Sequence, residues 1–473
     1  MASFNKEGSL QLDPASILPS TRRTASNLSN LLQLTLNRLR RNRWNILALP
    51  FVCLVFLWLV PLSPPLPPSY ATEWGEERWL PQMAFEGNME SKEEGRFVNF
   101  APIKEEGFNY QLQSLILQQH TAFLSNRSLA YHPYHVHDSI FPISPTHWPL
   151  KSSRIPMTAL IWSVSSGFEG MFDRRRGIPL KHFQTVCGVH EIQRVELHVD
   201  MAHAGDEGQA VEMMKNMARK LEDESLGRCV EVSVNPFDRG FFESHFPEAL
   251  FPSLSTSPVV KQFSFSPRVF RIINRSLELL SPGAKPYDEE IEMVKKPRRA
   301  KPWKNLLALH LRKSTDSEYC ASLGERSAPF VGFNKLPKLP GNENVPPPNG
   351  MVSAARQGLY LAKCDPPILD IIARARRLRD NHPTLSSIYI LSNGDYGFVA
   401  EARKWLESDG WDRVLTSADV AYKWEDREIV EAVDTEIARR SGVFVGNGFS
   451  ALSSNVALLR NADGKHTDFT QYW

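Results

Sequence analysis

Apolar and polar positions divide the chain into a polar tail, one long apolar run and two stretches where short apolar strands alternate with amphipathic helices. Residues 1–43 are polar and carry Ser, Asn and Arg, the composition of a disordered tail. Residues 44–62 read WNILALPFVCLVFLWLVPL without a charge, close to the roughly 20 residues a helix needs to cross the hydrocarbon core. The prolines of 61–70, PLSPPLPPSY, cannot continue a helix, so 63–95 is predicted to be an extended stem. The globular part is predicted to start at 96. RFVNFAP is a predicted strand, EEGFN a turn, and QLQSLILQQHTAFLSN a helix with Leu112, Leu115, Ile116, Ala122 and Phe123 on one stripe. RSLAYH, RVELHVD and CVEVSVN are further predicted strands, the last two separated by the helical EGQAVEMMKNMARKLEDES.

The second half repeats the rhythm. Strands are predicted at LLALHLR, SIYILSN, RVLTS and VFVGN, and helices at PPILDIIARARRLRD, GFVAEARKWLESD, DREIVEAVDTEIARR and SALSSNVALLR. Alternation of this kind predicts parallel sheets with right-handed crossovers. Residues 281–303 read as a linker, so the domains are placed at 96–290 and 291–473. The fold class is therefore α/β, two Rossmann-like domains facing a cleft, preceded by an N-terminal transmembrane helix. Ligands are expected at the carboxyl ends of the strands. Residues 335–350 read as an irregular insertion.

Charge sets the orientation. Arg38, Arg40, Arg41 and Arg43 precede the apolar run, while Glu73, Glu76 and Glu77 follow it, so the tail is expected in the cytosol and the remainder in the lumen. A single-pass type II protein of the Golgi or endoplasmic reticulum fits this order. A net charge of +2 in 473 residues excludes a global basic field and nucleic acid as a bulk partner. The basic cluster Lys295, Lys296, Arg298, Arg299 and Lys301 reads as a solvated linker. Cys187, Cys229, Cys320 and Cys364 permit two disulfides, paired by proximity as Cys187–Cys229 and Cys320–Cys364; four buried thiols are the alternative.

Three places carry candidate chemistry. Glu106, Gly107, Phe108 and Asn109 form a turn before a helix, where glycine would let backbone approach a ligand and Glu106 could take a proton from a hydroxyl. His310 and Arg312 end an apolar strand. An arginine there suits a diphosphate, and equally a salt bridge at the sheet edge. In VFVGNGFSALSSNVALLR a strand ends at Gly446, Asn447 and Gly448, and a helix starts near Ser450, which can cap it; this is a phosphate cradle without a Walker or dinucleotide fingerprint. Asp434 borders the apolar face of the preceding helix, either pairing structurally or receiving ligand donors. No metal site is expected: His132, His135 and His137 in YHPYHVH are an incomplete ligand set, and the chain has no Asp-x-Asp to hold a diphosphate-bridging cation. No GxSxG elbow supports a hydrolase.

EGFN with NRSLAY, then HLRK, IYILSNG and AVDTEIARRSGVFVGNGFSALSSNVALLR resemble the protein O-fucosyltransferase superfamily. SRIPMTALIW, HFQTVC and the closing DFTQYW resemble its uncharacterised fungal members. The resemblance implies a GT-B-like fold and an inverting, metal-independent transfer from GDP-fucose to a protein or glycan hydroxyl. It implies no cofactor beyond that donor. Arg312 would hold the diphosphate, Asp434 would read the guanosine, and Ser450 with the backbone of Ala451 and Leu452 would bind phosphate. Asn109 would belong to the ligand turn of the N-terminal domain, and Glu106 would be the general base. The superfamily's usual Arg-Arg-Gly-Asp is here Arg312-Lys313-Ser314-Thr315-Asp316. A transferase for another nucleotide sugar, or a silent lumenal binding module, are the alternatives.

Overall fold

The computed structural model describes residues 67–86, 95–103, 106–137, 142–144, 150–166, 177–199, 207–287, 303–312, 317–343, 345–347, 350–392 and 395–473. The tail, the apolar run 44–62, the basic cluster at 295–301 and residues 313–316 lie outside them. Among the described residues no helix is long and apolar enough to cross a membrane.

The first half begins with α1 (Ala71–Glu86), β1 (Phe97–Phe100), α2 (Phe108–Leu124), β2 (Ser128–Tyr131), β3 (Ile178–Pro179), β4 (Ile192–Val195), α3 (Glu207–Glu222) and β5 (Cys229–Val232). Helices α4 (Phe246–Thr256) and α5 (Pro267–Arg275) follow. Five of its strands form one sheet in the order β3-β2-β1-β5-β4, every pair in it parallel. FVNF and SLAY are buried along their whole length, as strands covered on both faces must be.

The second half contains β6 (Trp303–Leu311), α6 (Ser317–Glu325), α7 (Ser353–Cys364), α8 (Ile368–Asn381), β7 (Ser387–Ser392), α9 (Tyr396–Ser408), β8 (Arg413–Thr416), α10 (Val430–Arg440), β9 (Ser441–Gly446), α11 (Ala451–Ala462) and β10 (Thr470–Tyr472). The order is β8-β7-β6-β9-β10, again all parallel. Alternation along β6 splits its side chains between two cores. Leu307, Leu309 and Leu311 join Ile371, Ala375, Ala402 and Leu406 under α8 and α9. Leu306 and Ala308 join a larger cluster that also holds Leu112 and Ile116 of α2 and Val456 and Leu459 of α11. One apolar core thus runs through both halves.

In the second sheet the chain runs β6, β7, β8 outward, then returns to β9 on the other side of β6. In the first it runs β1, β2, β3, then places β5 on the other side of β1. These reversals leave crevices at the carboxyl ends of β6/β9 and β1/β5, the positions where open α/β sheets bind ligands.

Most predicted elements are present. RVELHVD stops pairing after Val195, and DFTQYW, not read as a strand, adds β10 to the sheet edge. The predicted extended stem contains α1, which is packed. Tyr70 donates from its hydroxyl to Glu428 Oε2 at 3.3 Å, Arg268 pairs with both Glu73 and Asp426, and Arg275 also pairs with Asp426. Glu77 accepts from the backbone and hydroxyl of Thr158. Burial pushes its carboxyl up to about 7, against those hydrogen bonds. Both proximity-paired disulfides form, Cys187–Cys229 and Cys320–Cys364, with Cα atoms 5.9 and 5.8 Å apart.

Candidate functional site

The crevice at β6/β9 is built from the loop that links β9 to α11. Ser450 caps α11, its hydroxyl accepting from Leu452 N at 3.2 Å. Asn334 braces the loop, donating from Nδ2 to Gly448 O at 2.9 Å and Ser450 O at 3.0 Å, and Tyr472 donates to Asn334 Oδ1 at 2.9 Å. Arg312, at the tip of β6, donates from Nη1 to Phe449 O at 3.4 Å, and its guanidinium carbon lies 4.4 Å from the centre of the Tyr319 ring. A half-buried guanidinium therefore stands beside the amide-rich start of a twelve-residue helix. That combination favours an anion.

The loop's other predicted ligand residues serve the fold. Asn447 is fully buried; its backbone N–H donates to Ser453 Oγ at 2.9 Å, its Nδ2 to Cys364 O at 2.6 Å, and its Oδ1 accepts from Phe449 N at 3.1 Å. A Cβ on Gly446 would sit 2.9 Å from the Phe444 ring, and one on Gly448 would sit 2.4 Å from the Phe330 ring. Side-chain packing within the protein therefore already requires glycine at 446 and 448. Ala451 is buried, its carbonyl accepting from Gln113 Nε2 at 2.9 Å, and Leu452 is half-buried.

His310 likewise has a partner inside the protein. It lies on the face of β6 that joins the shared core and is 4% exposed. Its Nδ1 is 2.8 Å from Ser453 Oγ. Ser453 Oγ also accepts from Asn447 N, so one hydroxyl ties the ring to the loop before α11. Burial, with Arg312 close by, depresses the imidazole to about 3, so it is a neutral strut.

Asp434 is 6% exposed and accepts from Tyr389 Oη at 2.6 Å and from Ser417 Oγ at 2.8 Å. Burial lifts its carboxyl to about 6, against the pull of those hydrogen bonds. Of the two roles open to it, the structure displays the pairing one.

The Glu106 turn meets the second half. Gly107 has φ −65° and ψ 166°, which any residue adopts, and open space where a Cβ would project. Its predicted need for a tight turn is absent. Phe108 is buried edge-on against Tyr134, so it is core rather than ligand wall. Asn109 donates from Nδ2 to Glu431 Oε2 at 2.9 Å and accepts on Oδ1 from Asn455 Nδ2 at 3.0 Å, joining α2 to α10 and α11. Glu106 is half-buried, and burial raises its carboxyl above the usual range, with Arg239 opposing.

Several residues of this region have no distinguishing mark in the sequence. The Arg239 guanidinium lies 5.8 Å from the centre of the Tyr110 ring. Tyr110, pushed up to about 12 by burial, has Arg239, Tyr319 and Glu106 as its ionisable neighbours. Arg239 over Tyr110 and Arg312 over Tyr319 are thus two cation–ring pairs in this region. Tyr110 follows EGFN directly and could have been read with it; Arg239, Tyr319 and Asn334 carry no motif.

No known family model matches the chain, and no curated protein matches it in sequence. Among solved structures, POFUT1 in its apo form is 14% identical over 80% of this chain and 98% of that chain, with a TM-score of 0.48. POFUT1 in complex with GDP-fucose is 14% identical over 81% and 99%, with a TM-score of 0.49. A variant of Arabidopsis thaliana FUT1 in complex with GDP is 13% identical over 84% and 78%, with a TM-score of 0.34. At these values no residue role or reaction is taken from them.

Proposed function

We propose that the chain is a glycosyltransferase that takes fucose from GDP-fucose. The observation that supports this most is the meeting of Arg312 with the start of α11 at the topological switch of the second sheet. A diphosphate there would receive the guanidinium fork and the first amides of the helix. The choice of guanosine and fucose rests on the sequence resemblance. In the proposed step an acceptor hydroxyl attacks the anomeric carbon from the face opposite the diphosphate. The bond from that carbon to the phosphate oxygen breaks, and GDP leaves with the electron pair. Glu106 takes the hydroxyl proton, a role its upward-shifted carboxyl suits. Arg312 and the loop before α11 hold the charge that develops on GDP. Inversion follows from the single displacement, and the absence of Asp-x-Asp motivates a mechanism without metal. The reading extends to a lumenal, single-pass membrane protein. Two disulfides in the described part support an oxidising compartment.

Calorimetric titration with GDP tests the proposal directly. Arg312→Ala should weaken GDP binding roughly 10- to 100-fold, the loss of about 1.5–3 kcal/mol for hydrogen bonds to a charged group. Its unfolding midpoint should stay near wild type, since among the described residues Arg312 makes one long carbonyl contact and one ring contact. Unchanged affinity in this variant rules out the assignment of Arg312.

One observation favours a second reading, a silent binding module. Asn109, Arg312 and Asp434 each already have a partner within the chain. Wild-type protein that binds neither GDP nor other nucleoside diphosphates would establish that reading instead.

A further inference from the structure

Beside the Glu106 turn, at the carboxyl ends of β1 and β2, a cavity of about 30 Å³ opens against one face of α2. Pro102, Leu115 and Met157 give it apolar walls; Ser114, Gln118 and His132 give it polar ones. Gln111 fixes its position, donating from Nε2 to Glu106 O at 2.7 Å and His135 O at 2.8 Å, so the candidate base's turn is pinned to the cavity wall.

The polar groups have determined roles. Gln118 is 8% exposed and donates from Nε2 to Ser114 Oγ at 2.9 Å; among the described residues nothing donates to its Oε1. Ser114, 1% exposed, accepts from Gln118 and from Asn235 Nδ2 at 3.2 Å, which uses both lone pairs and leaves its own proton without an acceptor among the described residues. His132 Nε2 lies 2.9 Å from Asn99 Oδ1 and 3.0 Å from Phe100 O. Two acceptors on one nitrogen require the proton there, so the lone pair is on Nδ1, which has no hydrogen-bond partner among the described residues. Burial holds this imidazole down to about 4, so it keeps that neutral form at physiological pH.

These three side chains therefore offer one donor and two acceptors to a space for about one water-sized group, which His135 also lines. The two lone pairs repel an anion, and among the described residues no carboxylate lines the cavity to compensate a cation. A neutral hydroxyl fits: its oxygen takes the Ser114 proton, and its own proton goes to Gln118 or His132. We propose that this cavity is a subsite for one neutral hydroxyl of the second substrate, with Ser114, Gln118 and His132 as its specificity residues. The assignment to a second substrate rests on the transferase reading; the hydroxyl chemistry does not.

The test uses the full chain labelled with 15N-histidine and three probes of similar size: methanol, methylammonium and formate. Methanol should move the His132 Nδ1 resonance saturably, and the two ions should not. Gln118→Leu should abolish the saturable shift, and Gln118→Glu should transfer the response from methanol to methylammonium. GDP affinity, measured in parallel, should change less than about twofold in both variants, because the cavity is on the acceptor side. A shift that is not saturable, that formate matches, or that survives Gln118→Leu overturns the subsite and leaves an ordinary hydrated cavity. If methanol binds as described but wild type does not bind GDP, the transferase reading falls and the hydroxyl subsite stands.

Discussion

Asp434 illustrates how one buried group can be read in two ways and separated by pH. Its carboxyl is raised from 3.8 to about 6, so between those values the folded state holds the proton more tightly than the unfolded state. Stability falls as pH rises through that window and stays at the lower level above it, a loss of about 3 kcal/mol. Asn in its place has no charge to bury and can keep the contacts to Tyr389 and Ser417. Asp434→Asn should therefore unfold at higher urea than wild type at pH 7.5, with the advantage gone at pH 4. If Asp434 also reads guanosine, the same variant loses GDP affinity while gaining stability, the trade expected of a site residue. A variant less stable than wild type at pH 7.5 shows the carboxylate to be a net stabiliser and contradicts the raised value.

Elements close the site through tethers distant in sequence. The bond from Asn447 Nδ2 to Cys364 O connects the loop before α11 to the end of α7, which the Cys320–Cys364 disulfide ties to α6. Tyr319, on which Arg312 stacks, is the neighbour of Cys320. A loop closed over a separation of 44 residues is worth about 4 kcal/mol in the chain-entropy account. Replacing both cysteines with serine should lower the unfolding free energy by about 2–4 kcal/mol and also weaken GDP binding, because Tyr319 and the loop lose a common anchor. Loss of stability with GDP affinity intact would show the disulfide to be remote from the site. The second half's sheet was readable because each buried strand is followed by a long amphipathic helix. The helices of 239–280 were not: two start at proline, α4 carries an internal Pro252, and apart from α4 none exceeds nine residues.

At the scale of the molecule, the two halves are joined by buried polar contacts as well as by apolar packing. Asn109 with Glu431 and Asn455, Gln113 with Ala451, and Arg268 and Arg275 with Asp426 all cross between them. Tyr70, just before α1, adds a bond to Glu428 across that seam, and Glu73 of α1 pairs with Arg268 beside it. The boundary predicted at 96 would cut these contacts away. A chain begun at 96 should be less stable than one begun at 67 by on the order of 3 kcal/mol, the cost of stripping one partner from a largely buried ion pair. Equal urea midpoints for the two would show α1 to be an accessory. The contacts also bear on the crevice: held by side chains from both halves, it is set before any ligand arrives.

Local pattern determined the strands, the long helices and the parallel arrangement they imply, because each depends on residues within one element or on neighbouring elements. It also located Arg312 and Ser450, since a strand tip and a helix cap are local positions. Whether a polar side chain in such a place faces a ligand or the interior was decided by the tertiary structure. His310, Asn447 and Asp434 look like ligand residues in sequence, and in the fold each has partners from elsewhere in the chain: Ser453 to His310, Cys364 to Asn447, and Tyr389 and Ser417 to Asp434. Spacing along a chain fixes the direction a side chain leaves its own element, but what it meets depends on which elements pack together.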